Sequence, residues 1–380
     1  MDILLIEPYF TGSHRQWASG YQANSGHDVE ILKLSGANWK WRMHGGAVTL
    51  ARRFLDSGSA PDLILATDML DLTTFLALTR RKTSNIPTAI YFHENQLTYP
   101  WSPTDRDVVR NRDKHYGFIN YASAMAADAV LFNSRYHMDS FYDEAVRLLK
   151  HFPDHNETGS IDALRGKSSV LPLGMDLRRL DEYAGAAASA GEAGAPISEA
   201  DGPLVVWNHR WEYDKNPDEF FKALRTLADE DVPFRLAVLG ENFSQVPVVF
   251  LKARDRLGDR VVQFGYAEDF KAYAHWLHSA DVLPVTSHQD FFGAGVAEAI
   301  YCGCRPLLPR RLAYPELLPD ETTSGAFYSN YNEFLDRLRA LLLEPEPSGG
   351  GYRDAIARFE WQNMAPDYDR ALNDVANNAL

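Results

Sequence analysis

The sequence predicts two doubly wound α/β domains in one chain. Three observations predict it. Short apolar runs recur along the 380 residues, five in each half. The stretches between them are long enough for helices. A segment nearly empty of large apolar side chains separates the two sets. Such alternation of strand and helix builds a mostly parallel sheet wound by helices.

The runs of the first half are "ILLI" (3–6), "LILA" (63–66), "TAIYF" (88–92), "AVLF" (129–132) and "SVLPL" (169–173). Those of the second are "LVVW" (204–207), "RLAVL" (235–239), "VVQF" (261–264), "DVLPV" (281–285) and "RPLL" (305–308). Buried parallel strands look like this, because both faces of their sheet are covered. "NPDEFFKALRTLADE" (216–230) sets apolar residues at helical spacing behind an Asn-Pro start signal. "EYAGAAASAGEAGAPISEADGP" (182–203) cannot fill a core and reads as a linker. A second weak stretch, "EPEPSGGG" (344–351), precedes a last amphipathic segment. The predicted organisation is a first domain over 1–180, a linker over 181–203, a second domain over 204–355, and a C-terminal helix over 356–380 that packs back across the domains. The two sheets then face a central cleft, and ligands bind beyond the carboxyl ends of the strands.

Composition narrows the function. Apolar residues make up 45% of the chain, ordinary for a globular protein. No apolar run is long enough for a transmembrane helix, so no membrane partner is expected. "MDILLIEPYF" reads as a first strand and not as a secretion signal. Cys302 and Cys304 stand too close for an ordinary disulfide and lack a second pair for zinc. A reduced, cytoplasmic protein is the expectation. The net charge of −14 argues against strong non-specific nucleic-acid binding. The charge is uneven, however. Residues 1–177 hold 18 Lys and Arg against 20 Asp and Glu, and the remainder 20 against 32. The first half can therefore still meet an anionic partner.

The motifs sit just after the strands. In "HQDFFGAGVAEAIYCGCRPLLP" (288–309), Asp290 falls in a loop and Glu298 in the helix that follows. Two carboxylates suit sugar hydroxyls. Gly293 and Gly295 allow close backbone approach at the helix start, where amides and the helix dipole suit a phosphate. In "WNHRWEYDKNP" (207–217), Arg210 and Lys215 reach the end of their strand. Fixed cations there stabilise the charge that grows on a departing diphosphate. Gly240, and Gly265 with Tyr266, follow two further strands, where a backbone can read a nucleobase edge. Asn208, Phe291, Phe292 and Ala294 complete the donor-side candidates.

In the first half, Thr11, Gly12, Ser13 and His14 form a candidate cap and phosphate loop after the first strand. The loop is not G-x-G-x-x-G, so a nicotinamide cofactor is disfavoured, and no nucleoside-triphosphatase loop is present. "YFHENQLTYP" (91–100) crowds His93, Glu94, Asn95, Gln96 and Tyr99 at a strand end. Such polar density is expensive unless it binds something polar. "WKWR" (39–42), "TRRK" (79–82) and "TDRDVVRNRDKHYGF" (104–118) mix cations with aromatics, a combination that suits RNA. For the last of these, a solvated helix face is the simpler reading. No zinc set, H-E-x-x-H or D-x-D run is found at a strand end, so no metal and no cofactor are expected.

These strings carry a resemblance. "HQDFFGAGVAEAIYCGCRPLLP" resembles the E-x7-E signature of retaining glycosyltransferases of the GT-B fold, with Asp290 in place of the first Glu. The spacing of Arg210 and Lys215 is similar to the cation pair of that class, and "SVLPLGMD" (169–176) to its passage ahead of the linker. More specifically, "EPYFTGSHRQW", "YFHENQLTYP", "FNSRYHMDSF", "WNHRWEYDKNP" and "DFFGAGVAEAIYCGCRPLLP" together resemble the tRNA-queuosine alpha-mannosyltransferase family. The resemblance implies a GT-B fold with two Rossmann-like domains, a GDP-mannose donor, and a tRNA carrying queuosine as acceptor. It implies that Arg210, Lys215 and Glu298 hold the nucleotide diphosphate and ribose. It further implies that Asp290 and His93 contact the transferred sugar, with Glu94, Asn95 and Gln96 on the acceptor side. Two rival readings are kept. One is a GT-B enzyme acting on a lipid, glycan or small molecule. The other is a catalytically silent binding module.

Overall fold

The structure, a computed structural model, describes residues 1–102, 105–110, 113–185, 202–240, 246–319, 325–344 and 351–378. Most of the linker read over 181–203 lies outside these residues, as does most of "EPEPSGGG". The chain divides into two compact units, Met1–Asp176 with Phe359–Leu380, and Leu177–Arg358.

The first unit holds strands β1 (Asp2–Phe10), β2 (Asp28–Ser35), β3 (Leu63–Thr67), β4 (Thr88–Phe92), β5 (Ala129–Phe132) and β6 (Ser168–Val170). They form one parallel sheet in the order β2-β1-β3-β4-β5-β6. Strands β3 and β4 are buried at every residue, so their sequences are continuous apolar runs. Strand β2, at the edge, is largely exposed, and "DVEILKLS" accordingly shows no continuous run. The predicted strand over 169–173 is shorter than expected. The last paired residue is Val170; the Leu171 amide still donates to the Phe132 carbonyl at 2.8 Å, and the carbonyls of Leu171 and Pro172 accept from the Tyr91 and Tyr368 hydroxyls.

The second unit holds β7 (Leu204–Asn208), β8 (Arg235–Leu239), β9 (Val261–Phe264), β10 (Val282–Pro284), β11 (Arg305–Pro309) and β12 (Phe327–Tyr328). Their order is β12-β11-β10-β7-β8-β9, again parallel throughout. Each sheet is covered by its own apolar cluster. One includes Phe54, Phe75, Phe92, Phe132 and Phe141. The other includes Trp207, Trp211, Phe220, Phe221 and Phe250.

Both orders contain one reversal. In the first sheet the chain moves from β1 outward to β2 and then crosses to β3. In the second it runs from β7 to β9 and then crosses back to β10. The crossovers leave in opposite directions at these points and open a crevice at the strand ends, where such sheets bind ligands.

The last helix, Trp361–Asn378, belongs to the first unit. Its Tyr368 hydroxyl accepts the Trp17 indole N–H at 3.0 Å and donates to Tyr91 and to the Pro172 carbonyl. Asp369 accepts from Tyr21, Ser25 and the Gly26 amide. Among the described residues no helix is long and apolar enough to cross a membrane. Cys302 and Cys304 are buried and unlinked.

Candidate active site

In the second unit, the loops after β7 and β10 meet at the reversal. The 3-10 turn Tyr213–Lys215 brings the Lys215 ammonium into the loop beyond β10. Its Nζ donates to the Gln289 carbonyl at 2.7 Å and lies 3.3 Å from Asp290 Oδ2 and 3.4 Å from Asp214 Oδ2. The Tyr314 hydroxyl donates to the same Asp290 oxygen at 2.9 Å. Arg210 is more exposed and pairs with Glu212 at 3.2 Å. His209 is buried beside Arg210 in sequence. Burial pushes it down to about 3, assisted by Lys215 and Arg210 and opposed by Asp290. All three charges thus act on the His209 imidazole.

Glu298 belongs to a separate network, which ends at Asn208, two residues before Arg210. The Tyr273 hydroxyl donates to Glu298 Oε2 at 2.5 Å and accepts from Asn208 Nδ2 at 2.9 Å. Asn208 Nδ2 also donates to the Gly295 carbonyl at 2.8 Å, which ties β7 to the first turn of the helix Ala294–Tyr301. A Cβ at Gly295 would stand 3.1 Å from the Asn208 carbonyl oxygen, so this contact requires a small residue. Burial pushes the Glu298 carboxyl up, and the bond from Tyr273 works against it. Gly293, with φ of 94°, caps the helix without a side-chain acceptor. The first-turn amides thus lack a side-chain cap, as a phosphate site needs.

Gly240 is explained by packing. A Cβ there would meet the His209 carbonyl oxygen at 2.0 Å, and φ is 107°. Phe291 and Phe292 are buried, whereas Tyr266 is 69% exposed beside Gly265.

In the first unit, the ends of β1, β3 and β4 build a second polar cluster. Glu7 lies in β1 and is fully buried. Its Oε2 is 3.1 Å from His14 Nδ1. Burial alone would lower His14. Glu7, with smaller contributions from Asp68 and Glu94, overrides this and raises it to about 9. The buried imidazole is therefore a cation at neutral pH. Its ring lies 4.4 Å from that of His93, which is held well below its usual value by burial, His14 and His137. His93 Nε2 is buried with no hydrogen-bond partner. Its amide donates to Asp68 Oδ1 at 2.8 Å, and burial raises the Asp68 carboxyl.

The segment read as a cap and phosphate loop leads from β1 into a helix. Thr11 occupies the cap position of the helix Gly12–Asn24, but its side chain makes no capping bond. It packs instead where a Cβ at Gly36 would stand, 2.2 Å away. Asn95 is largely committed to its own turn. Its Oδ1 accepts from the amides of Leu97 and Thr98, and the residue is fully buried. Gln96 Nε2 donates to Glu94 at 3.0 Å, leaving Glu94 the more accessible of the two. Tyr99 is half-buried just beyond.

Sequence reasoning missed Glu7, Asp68, Tyr273 and Tyr314. The first two had a visible signal, an acid inside or just after an apolar strand. The tyrosines had none. Glu7, His14 and His93 bring potential ligand atoms within 4.8 Å of one another, a group that could hold a metal ion. The His14 charge beside Glu7 supplies a cation at that place.

Two helix-linked parallel sheets, the second carrying cations and carboxylates at its reversal, define a GT-B glycosyltransferase. The protein is similar in fold to sucrose-phosphate synthase from Thermosynechococcus elongatus, with a TM-score of 0.71 and 16% identity over 100% of both chains. Residues 195–353 match the family of glycosyl transferases group 1, and residues 2–175 match the tRNA-queuosine alpha-mannosyltransferase N-terminal family. The chain is 33% identical to the tRNA-queuosine alpha-mannosyltransferase of Drosophila melanogaster over 370 residues, 96% of this chain and 95% of the relative. It belongs to the tRNA-queuosine alpha-mannosyltransferase family. Over 54% of its length it is also 28% identical to a GDP-mannose-dependent alpha-(1-6)-phosphatidylinositol dimannoside mannosyltransferase of Mycobacterium tuberculosis, covering 52% of that protein.

Proposed function

We propose that this glycosyltransferase moves mannose from GDP-mannose to a cyclopentene hydroxyl of queuosine in tRNA(Asp), with retention of configuration. The observation that carries the reading is the Lys215–Asp290 contact. A cation and a carboxylate fixed together at a sheet reversal suit a sugar joined to a diphosphate. The Drosophila relative supports the acceptor, and the GDP-mannose-dependent relative supports the donor.

In the proposed mechanism the acceptor oxygen attacks the anomeric carbon from the face of the leaving diphosphate. The bond from that carbon to the phosphate oxygen breaks, and its electron pair stays on the phosphate. A phosphate oxygen takes the acceptor proton, so GDP and the mannoside are the products. Lys215 and Arg210 stabilise the growing negative charge. Asp290 orients Lys215, and Glu298 binds the nucleotide ribose. The first-turn amides at Ala294 and Gly295 meet phosphate. By the resemblance, His93 is assigned to the transferred sugar; Gly12, Ser13 and His14 are assigned to the donor. Glu94, Gln96 and Tyr99 line the acceptor side. No metal is assigned to the step. A tRNA acceptor supports a cytoplasmic enzyme.

The test is a radiolabel transfer assay. Queuosine-containing and queuosine-lacking tRNA are each offered with GDP-mannose and with UDP-sugars. Label is expected only in queuosine tRNA with GDP-mannose. Label confined to a lipid, glycan or small molecule would replace the acceptor assignment. Donor binding with no turnover on any acceptor would leave a silent binding module.

A further inference from the structure

The rings of "WKWR" and its surroundings divide between a partly buried cluster and the surface. Trp39 turns inward, with its ring 5.6 Å from Trp101 and 5.2 Å from Tyr116. Lys40 is held by Asp105 and Asp107 at 2.6 and 2.5 Å, which consumes its charge. Trp41, one residue on, points outward and is 63% exposed. An indole this exposed is out of place on a helix that buries Met43, Ala47, Leu50 and Phe54 on its other face.

Gly45 gives Trp41 a seat. A Cβ at residue 45 would stand 2.4 Å from both Cε2 and Cζ2 of the indole. The six-membered ring therefore lies against the bare backbone one turn along the helix Trp39–Ser57, while much of its surface stays open to solvent. Glycine in a helix interior costs about 1 kcal/mol relative to alanine, so this arrangement holds the ring at some expense to the helix.

Along this stretch of sequence the charge is one-sided, and the acids nearby, Asp105 and Asp107, are taken up by Lys40. Residues 31–55 contain Lys33, Lys40, Arg42, Arg52 and Arg53, and no Asp or Glu, in a chain of net charge −14. The cations are anchored. Arg42 Nε donates to the Ser35 carbonyl at 3.0 Å, and Arg53 Nη1 to the Lys33 carbonyl at 3.0 Å. Trp41, Gly45, Val48 and Arg52 share one exposed helical face, about 17 Å long from first to last. A flat ring beside fixed cations binds a stacked base and its phosphates.

We infer that this face of the helix Trp39–Ser57 is a docking surface for single-stranded RNA. One unpaired base stacks on Trp41, and the adjoining phosphates lie along Arg42, Arg52 and Arg53. The inference rests on the proposed reading, because the RNA is then the body of the acceptor. It also explains how an acidic protein holds a polyanion.

The test separates the two. An unmodified anticodon stem-loop RNA, which lacks queuosine and cannot accept sugar, is titrated into the full chain and followed by fluorescence anisotropy. Trp41→Ala is expected to weaken binding about tenfold or more, the scale of one base–aromatic stack. Gly45→Ala keeps the tryptophan and favours the helix, yet displaces the ring. It is expected to weaken binding while the thermal midpoint is unchanged or higher. Arg52→Ala with Arg53→Ala should flatten the dependence of affinity on salt. Wild-type affinity within twofold in both Trp41→Ala and Gly45→Ala overturns the inference. So does binding to sulfated glycan or anionic vesicles that RNA does not displace. If RNA binding depends on Trp41 but queuosine tRNA receives no mannose, the inference stands and the acceptor reading fails.

Discussion

Lys215 Nζ lies 3.3 Å from Asp290 Oδ2, joining residues 75 positions apart in the chain. The ammonium is also held at the Gln289 carbonyl, so its position does not depend on the carboxylate alone. A cation fixed in this way needs little reorganisation when a diphosphate departs. Lys215→Ala is expected to lower kcat at least ~100-fold, the scale of losing one preorganised charge contact. The same change leaves Asp214 and Asp290 without their shared cation, which costs about 3 kcal/mol when such pairs are buried. Turnover is therefore measured well below the midpoint of the variant, beside calorimetric binding of GDP. Activity within threefold of the parent removes Lys215 from the mechanism.

Tyr273→Phe deletes the hydroxyl that links Glu298 to Asn208. Glu298 is then free to move from the position in which the proposed function has it meet the ribose. Hydrogen bonds to charged groups contribute about 1.5–3 kcal/mol. The KM for the donor should rise roughly tenfold or more, with kcat changed much less. A fall in kcat at constant KM would show that Glu298 acts on the reaction step instead.

The Glu7–His14 pair makes stability depend on pH. His14 is raised from 6.5 to about 9 in the folded chain. A raised value favours the folded state fully below pH 6.5, and the benefit is lost as pH rises through 9. Glu7→Gln removes the partner. Thermal midpoints of the two proteins should differ most below pH 6.5 and converge toward pH 9 and above. A difference that is constant across this range would mean that His14 is not charged.

Gly240→Ala tests the close approach of β8 to the turn that carries Arg210. The added methyl meets the His209 carbonyl oxygen, and the positive φ disfavours any side chain. Unfolding free energy in urea is expected to fall by at least ~2 kcal/mol. An unchanged midpoint would show that the turn can move away without penalty.

Chelation tests the assignment of charge stabilisation to side chains. Activity is expected to stay within twofold after exhaustive treatment with EDTA. Loss that is restored by a divalent cation would assign the diphosphate charge to a metal, and would make the group of Glu7, His14 and His93 the first place to look.

Much of the fold was legible because parallel strands buried on both faces must be continuous apolar runs. "TAIYF", "AVLF" and "RLAVL" coincide with β4, β5 and β8, and "VVQF" with β9, an edge strand that is half-buried yet apolar enough to be read. Strand β2 was not legible, since an edge strand buries only part of its surface. Strand β12 has two residues, too few for a pattern. At the site, Arg210, Lys215, Asp290 and Glu298 were visible from their places after strands and from the resemblance. Tyr273 and Tyr314 were not, because each sits among ordinary helical residues and meets its partner only in space.

The sequence by itself determined the alternation of strands and helices, the family, and the cations and carboxylates at the strand ends. Local periodicity and motif spacing encode all three. Tertiary structure alone decided that the Tyr273 hydroxyl sits between Asn208 and Glu298, that Glu7 holds a proton on His14, and that Trp39 packs against Trp101 and Tyr116 while Trp41 is exposed. Each depends on which distant groups burial brings within hydrogen-bonding or ring contact, and no local pattern carries that information.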